Sequence, residues 1–170
     1  MALERWRPRA DGHCVAQICL NGHVISHQAL RADDLQPFCS QCGTETLVKC
    51  VHCGETIRGT LADDEQGAEA VPYARPSYCP ACGGAYPWTT AQLDAGRELA
   101  KWLEGLSARE REQLAASLDD LIADTPRASL AATQFNSLVA KARGAGVRAL
   151  RKLAVELAAE TAKQHVSSSA

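Results

Sequence analysis

The sequence predicts an α+β protein, with a small β-rich module of tandem zinc ribbons or knuckles followed by an α-helical region of about four helices. Two observations carry this reading. All eight cysteines (14, 19, 39, 42, 50, 53, 79 and 82) lie in the first half of the 170 residues. From Thr89 onward the chain is rich in Ala, Leu, Arg and Glu, with apolar residues recurring at helical spacing. The predicted organisation is a flexible N-terminus at 1–12, a zinc-binding domain at 13–88, a helical domain at 89–166 and a disordered tail at 167–170.

The first half reads as metal-dependent. Three segments, "CSQCG", "CVHCG" and "CPACG", share the form C-x-x-C-G. A two-residue spacer turns the chain so that both sulfurs face one ion, and the Gly permits a positive φ that lets backbone N–H groups approach the sulfurs. Residues 13–88 hold few large aliphatics and many Gly, Pro, Asp and Glu, too thin a core to offset the entropy of ordering the chain. Metal binding supplies the difference. The start, "MALERWRPRADGH", has no apolar stretch behind its arginines and does not read as a secretory signal. The expected location is therefore cytoplasmic, where paired cysteines point to metal rather than disulfides.

Three knuckles provide six donors, one pair short of two tetrahedral sites. "ICLNGHVIS" offers Cys19 and His23 on either side of an Asn-Gly turn flanked by apolar residues, the signature of a hairpin. The candidate ligands are thus Cys19, His23, Cys39, Cys42, Cys50, Cys53, Cys79 and Cys82, for two zinc ions per chain. Sequential pairing gives one site of Cys19, His23, Cys39 and Cys42 and another of Cys50, Cys53, Cys79 and Cys82. Its loops of 15 and 25 residues close locally at modest entropic cost. Pairing 39/42 with 50/53, or a crossed RING-like arrangement, uses the same ligands. Cys14 falls on the opposite strand face from Cys19 and reads as a small buried hydrophobe or half-exposed thiol. His13, His27 and His52 read as surface histidines, and Glu55 and Arg58 as exposed strand residues.

The strings "ICLNGHVI", "FCSQCG", "KCVHCGETIRG" and "YCPACGGAYPWT", followed by "LSARERE" and "DLIADTPR", together resemble an uncharacterised bacterial family, a domain of unknown function with tandem zinc ribbons at its N-terminus and a helical C-terminal region. The resemblance covers nearly the whole chain. It implies Cys19 and His23 as ligands and implies no activity. The chain departs from the family's look at Cys14 and at "ADDEQGAEA", residues 62–70, which reads as a solvated acidic loop.

In the second half, "TTAQLDAGRELAKWLEGL" sets Leu99, Leu103 and Leu106 on one face with Trp102 beside them, and Thr89 or Thr90 can cap its start. Ser107 and Glu110 form a capping box for the next helix, whose stripe is Leu114, Leu118, Leu121 and Ile122 before Pro126 ends it. A third segment aligns Ala131, Phe135, Leu138, Val139 and Ala142. "GAG" at 144–146 breaks the chain before a last helix with Val147, Leu150, Leu153, Ala154, Leu157 and Ala158 on a stripe. Ala-rich stripes bury little area each, so this bundle is expected to finish its core against a partner or a second copy.

Charge is distributed in blocks. Residues 89–124 carry four basic and eight acidic side chains, while 125–155 carry six basic ones (Arg127, Lys141, Arg143, Arg148, Arg151 and Lys152) and no acid. Either the basic helices pack beside the acidic ones, or Arg143, Arg148, Arg151 and Lys152 form an outward face for a partner. Two four-ligand sites leave no open coordination position. No His-x-Glu precedes the Pro-Cys-like turn, and no phosphate-binding loop or nucleophile elbow occurs. The expected function is a non-enzymatic zinc-binding adaptor or scaffold that mediates protein–protein interaction or assembly. The alternative is a nucleic-acid-binding zinc-ribbon protein using the basic block at 127–152; residues 1–88 speak against it, with seven basic and ten acidic side chains. A RING-like ligase module is a weaker alternative. No segment reads as transmembrane, and residues 138–163 lack the bulky apolar face a membrane-surface helix needs.

Overall fold

The computed structural model describes residues 12–29, 35–61, 73–123 and 126–156. The N-terminal segment 1–11, the acidic loop 62–70, Leu157 and Ala158 of the last stripe, and the tail lie outside the described residues. The chain divides into two units at Thr89 and Thr90.

The first unit is built on a four-stranded antiparallel sheet. Its central strand β1, His13–Cys19, pairs with β2, Val24–Ala29, with β3, Thr46–Leu47, at its C-terminal end and with β4, Arg58–Leu61, at its N-terminal end. Having partners along its length explains why Cys14 through Cys19 are all buried. Irregularities in the pairing around Val15 and Gln17 interrupt the strict two-residue alternation expected for β1. One compact core joins Ala16 and Ile18 of β1 to Cys50, Ile57, Cys79, Tyr86 and Trp88. The Tyr86 and Trp88 rings stack with centroids 4.7 Å apart, and the Trp88 indole N–H donates to Pro76 O at 2.9 Å. Two aromatics thus supply bulk that the aliphatics of this unit do not.

The helices are α1, Pro87–Lys101, α2, Ala108–Ile122, α3, Ala128–Lys141, and α4 over residues 146–156. Helix α1 starts two residues before the expected Thr89. Proline suits a first helical position because its φ is preset and its missing N–H costs nothing there. Thr89 does not cap; buried inside the first turn, it donates its hydroxyl to Ser77 O at 2.8 Å. After Trp88 and Thr89, the buried residues of α1 are Leu93, Gly96 and Ala100, with Leu99 only half-buried. Leu103 and Leu106 are buried beyond the helix end, and Trp102, in the turn after Lys101, is 80% exposed. Termination at Lys101 shifts these residues off the helical stripe that the periodicity predicts.

In the second unit the capping box is present: Ser107 Oγ accepts from the Glu110 N–H, and a Glu110 carboxylate oxygen accepts from the Ser107 N–H. Leu114, Leu118 and Ile122 of α2, Ala131, Phe135, Leu138 and Val139 of α3, and Leu150 and Ala154 of α4 are buried. Leu121, Ala142, Val147 and Leu153 are half-buried. Between α3 and α4, Gly144 takes φ +101°, and the Arg143 and Glu104 backbones exchange hydrogen bonds of 2.9 and 3.2 Å. No helix among the described residues is long and apolar enough to cross a membrane.

Candidate metal centre

Each C-x-x-C-G segment folds into the same small hairpin. The first cysteine's N–H donates to the carbonyl five residues on, Cys39 to Thr44, Cys50 to Glu55 and Cys79 to Gly84, at 2.7–2.8 Å. The Gly N–H returns to the first cysteine's carbonyl, with φ of +71°, +75° and +71° at Gly43, Gly54 and Gly83. A third bond runs from Thr46, Ile57 or Tyr86 to Pro37, Val48 or Ser77. Only a residue without a Cβ takes that φ at little cost, so the Gly sets where the second sulfur points. In every knuckle the first cysteine is buried and the second, Cys42, Cys53 or Cys82, is exposed.

The Cys19–His23 turn solves the same problem with a longer spacer. Cys19 and His23 bond backbone to backbone at 3.0 Å, the Gly22 N–H donates to Cys19 O at 2.8 Å, and Gly22 has φ +86°. This turn joins β1 to β2 and brings both side chains to the first knuckle.

Two groups of four donors result: Cys19, His23, Cys39 and Cys42, and Cys50, Cys53, Cys79 and Cys82, with all donor atoms of a group within 4.8 Å of one another. The grouping is sequential, neither the 39/42–50/53 pairing nor a crossed one. Two sulfurs of a tetrahedral zinc site with bonds of about 2.3 Å stand about 3.8 Å apart, and a sulfur and a nitrogen about 3.6 Å. The Sγ atoms of Cys50 and Cys82 are 3.8 Å apart, and those of Cys53 and Cys79, and of Cys19 and Cys42, 3.7 Å. His23 Nδ1 lies 3.5, 3.3 and 3.7 Å from the sulfurs of Cys19, Cys42 and Cys39. These edges suit one tetrahedral ion in each group and are far too long for disulfides, whose sulfurs bond at about 2.0 Å. All eight cysteines are free thiols.

The sulfurs also have outer partners. The His23 N–H points to Cys19 Sγ at 3.2 Å, the His52 N–H to Cys50 Sγ at 3.4 Å, and Thr44 Oγ1 lies 3.1 Å from Cys42 Sγ. Hydrogen bonds from the Thr44 side chain and backbone hold the Cys42 thiol down at about 5. Burial of Cys79 is outweighed by backbone N–H groups of Cys82 and Ala81, which leave it at about 6. At Cys53 the Glu55 N–H lowers the pKa, but burial and the neighbouring thiols Cys82, Cys79 and Cys50 push it up to about 12. Burial raises Cys39. Each group therefore mixes a ready thiolate with a thiol whose proton a metal has to displace, so affinity falls as pH falls.

The chain's other features fall around these centres. Cys14 is buried outside both groups, with its thiol raised by burial. His52 is exposed but not idle, because its Nε2 lies 3.2 Å from Ala85 O and ties the second knuckle to the third. His13 Nδ1 lies 3.1 Å from Gly59 O, and His27 stacks on Tyr73 at 5.4 Å. Sequence reasoning missed Gln17. Its buried amide donates to Gln36 O at 2.6 Å and to Thr46 Oγ1 at 2.7 Å and accepts from the Gln36 N–H at 3.2 Å, pinning the entry to the first knuckle. A polar residue amid the apolar run of β1 was the available signal. Sequence reasoning also missed Tyr86, which is fully buried in the same core cluster as Cys79 and stacked on Trp88.

Residues 13–166, which span the knuckles and the capping box, match a family described as an uncharacterized protein conserved in bacteria. The chain belongs to this family, DUF2321. No curated protein and no solved structure matches it. Members of DUF2321 are described by no activity, so what this chain does rests on its own geometry.

Of the basic residues, Arg127 pairs with Asp120 at 3.4 Å, Lys141 with Glu110 at 3.1 Å and Lys152 with Glu156 at 3.7 Å. Part of the block therefore packs beside acidic α2. Arg143, Arg148 and Arg151 are exposed.

Proposed function

We propose that the chain is a non-enzymatic adaptor in which two structural zinc ions shape the first unit and the helical unit receives an acidic protein partner or a second copy. The observation that carries this reading is the closure of both donor groups. Four protein donors complete a tetrahedral ion, so neither site offers the open position that catalytic zinc needs to bind water or substrate. Sequential grouping also differs from the crossed pairing of a RING.

The helical unit supports the partner half of the reading. A cavity of about 470 Å³ is lined by Leu121, Ala132, Phe135, Ala154 and Val155 together with Arg151, and Val155 is 68% exposed. Arg148 and Arg151 line a second cavity with Val147. An apolar groove with guanidinium groups suits a segment that is apolar and acidic by turns, since the arginines give charge complementarity and the groove gives buried area.

The test is zinc per chain and molar mass of the full-length protein, with Arg143, Arg148, Arg151 and Lys152 intact or replaced by Ala. About two zinc ions per chain in both forms, and assembly that weakens on substitution and on raising salt, are expected. A zinc ratio near one, or binding only to nucleic acid that the substitutions abolish, would overturn the adaptor reading.

A further inference from the structure

Strand β1 serves both donor groups. Its last residue, Cys19, belongs to the first group and pairs with Thr46, just past the first knuckle. Upstream on the same strand, the Ala16 N–H donates to Ile57 O at 2.9 Å and Val15 pairs with Arg58, both just past the second knuckle. Ile18, next to Cys19, shares its core with Cys50 and Cys79 of the second group. One strand thus carries a donor of one site and packs on donors of the other.

A second link is Arg75, in the segment entering the third knuckle. Its Nη1 donates to Gly22 O at 2.7 Å and lies 3.5 Å from Asn21 O, across the turn that presents Cys19 and His23. Trp88, just past the third knuckle, backs the same glycine. A Cβ on Gly22 would fall 1.6 Å from Arg75 Nη1 and 2.9 Å from Trp88 Cβ. The turn of the first site is therefore shaped by residues on both flanks of a knuckle that belongs to the second.

We propose that the two metal sites fill cooperatively, with Arg75 as the positioning residue that couples the Cys50–Cys53–Cys79–Cys82 site to the Cys19–His23 turn. This inference rests on the reading that both groups hold metal. Ordering β1 and its turn costs conformational entropy. The first ion to bind bears that cost, so the second meets donors already in place.

Cobalt(II) as a stand-in for zinc tests this, because a four-sulfur and a three-sulfur, one-nitrogen tetrahedral site absorb differently and each is followed in one titration of the reduced full-length chain. The expected result is that filling one site strengthens the other by about fivefold or more. Cys79→Ser lowers cobalt affinity at the Cys19–His23 site by a similar factor. Arg75→Ala leaves all eight donors in place and two ions per chain, yet weakens that same site about tenfold, the scale of a lost charge-assisted hydrogen bond, and Arg75→Lys restores part of it. If Cys79→Ser does not fold, Arg75→Ala decides alone. Independent filling of the two sites in the unaltered chain, or unchanged affinities in Arg75→Ala, overturns cooperativity while leaving the two-metal reading intact. Uptake of a single ion by the unaltered chain overturns the two-metal reading itself.

Discussion

The two units of this chain reach order by opposite routes. In the first, the contacts that matter join residues far apart in sequence: Cys19 meets Cys42, Cys50 meets Cys82, and Gln17 clamps Gln36. Two of the seven residues in its core, Cys50 and Cys79, belong to a four-cysteine group that could hold a metal ion. In the second, stability comes from stripes of Leu, Ile, Ala and Phe on helices that hydrogen-bond within themselves, with cap and ion pairs at their edges. Closing long loops costs chain entropy before any contact rewards it, whereas helix contacts are local. A segment poor in large aliphatics bears that loop cost only if each closure ends in a strong bond, and metal–thiolate bonds at the two donor groups would meet that need.

Breaking the first route has the largest expected effect. Cys82→Ser removes one donor of the second group, and structural zinc contributes on the order of 10 kcal/mol in small domains. The expected outcome is loss of amide protection across residues 13–88, with the helical circular dichroism of α2 and α3 retained. A variant that keeps both zinc ions and full protection in 13–88 would show that the apolar core is enough.

What could be read from the sequence follows the same division. The knuckles were legible because cysteine spacing is a direct statement of ligand geometry, and Cys19 with His23 because six donors fall one pair short of two tetrahedra. Helix stripes were legible wherever the helix ran its full length, as at Leu114 and Leu118. Reading failed where tertiary contacts override local pattern. Thr89 is drawn to Ser77 O instead of capping, and Trp102 falls beyond a helix that stops at Lys101. Arg75 carries no local signal, because its partner lies 53 residues away, and the polar Gln17 in the apolar run of β1 does not by itself point to a partner 19 residues on.

The comparison sharpens from the other side with Leu118→Ala. Leu118 is fully buried, and a Cβ on Gly96 of α1 would come within 2.6 Å of its Cδ1, so the two helices meet closely there. Deleting the side chain leaves a cavity and costs about 3 kcal/mol. Calorimetry should show the helical unit melting earlier while zinc content stays at the unaltered value. Loss of zinc in this variant would mean that the helical unit holds the metal module together.

The smallest expected effect lies at the Ser107 cap and separates the units by pH. A hydrogen bond from the Ser107 backbone, followed by contacts with Lys141 and the Ser107 hydroxyl, lowers Glu110 from 4.5 to about 2. A carboxyl depressed in the folded state stabilises it above the unfolded value, and that contribution fades as pH falls from about 4.5 towards about 2. Metal sites respond to acid at higher pH, because protons compete for the thiolates and such a contribution is lost as pH falls through the range where zinc is displaced. Acid titration should therefore release zinc and unfold residues 13–88 first, with α2 melting only at lower pH. Ser107→Ala removes one side-chain cap and costs about 1 kcal/mol. It should bring the helical transition to higher pH and leave the zinc-release midpoint where it was. A shift of both midpoints together would show that the units titrate as one cooperative body, which their separate modes of closure argue against.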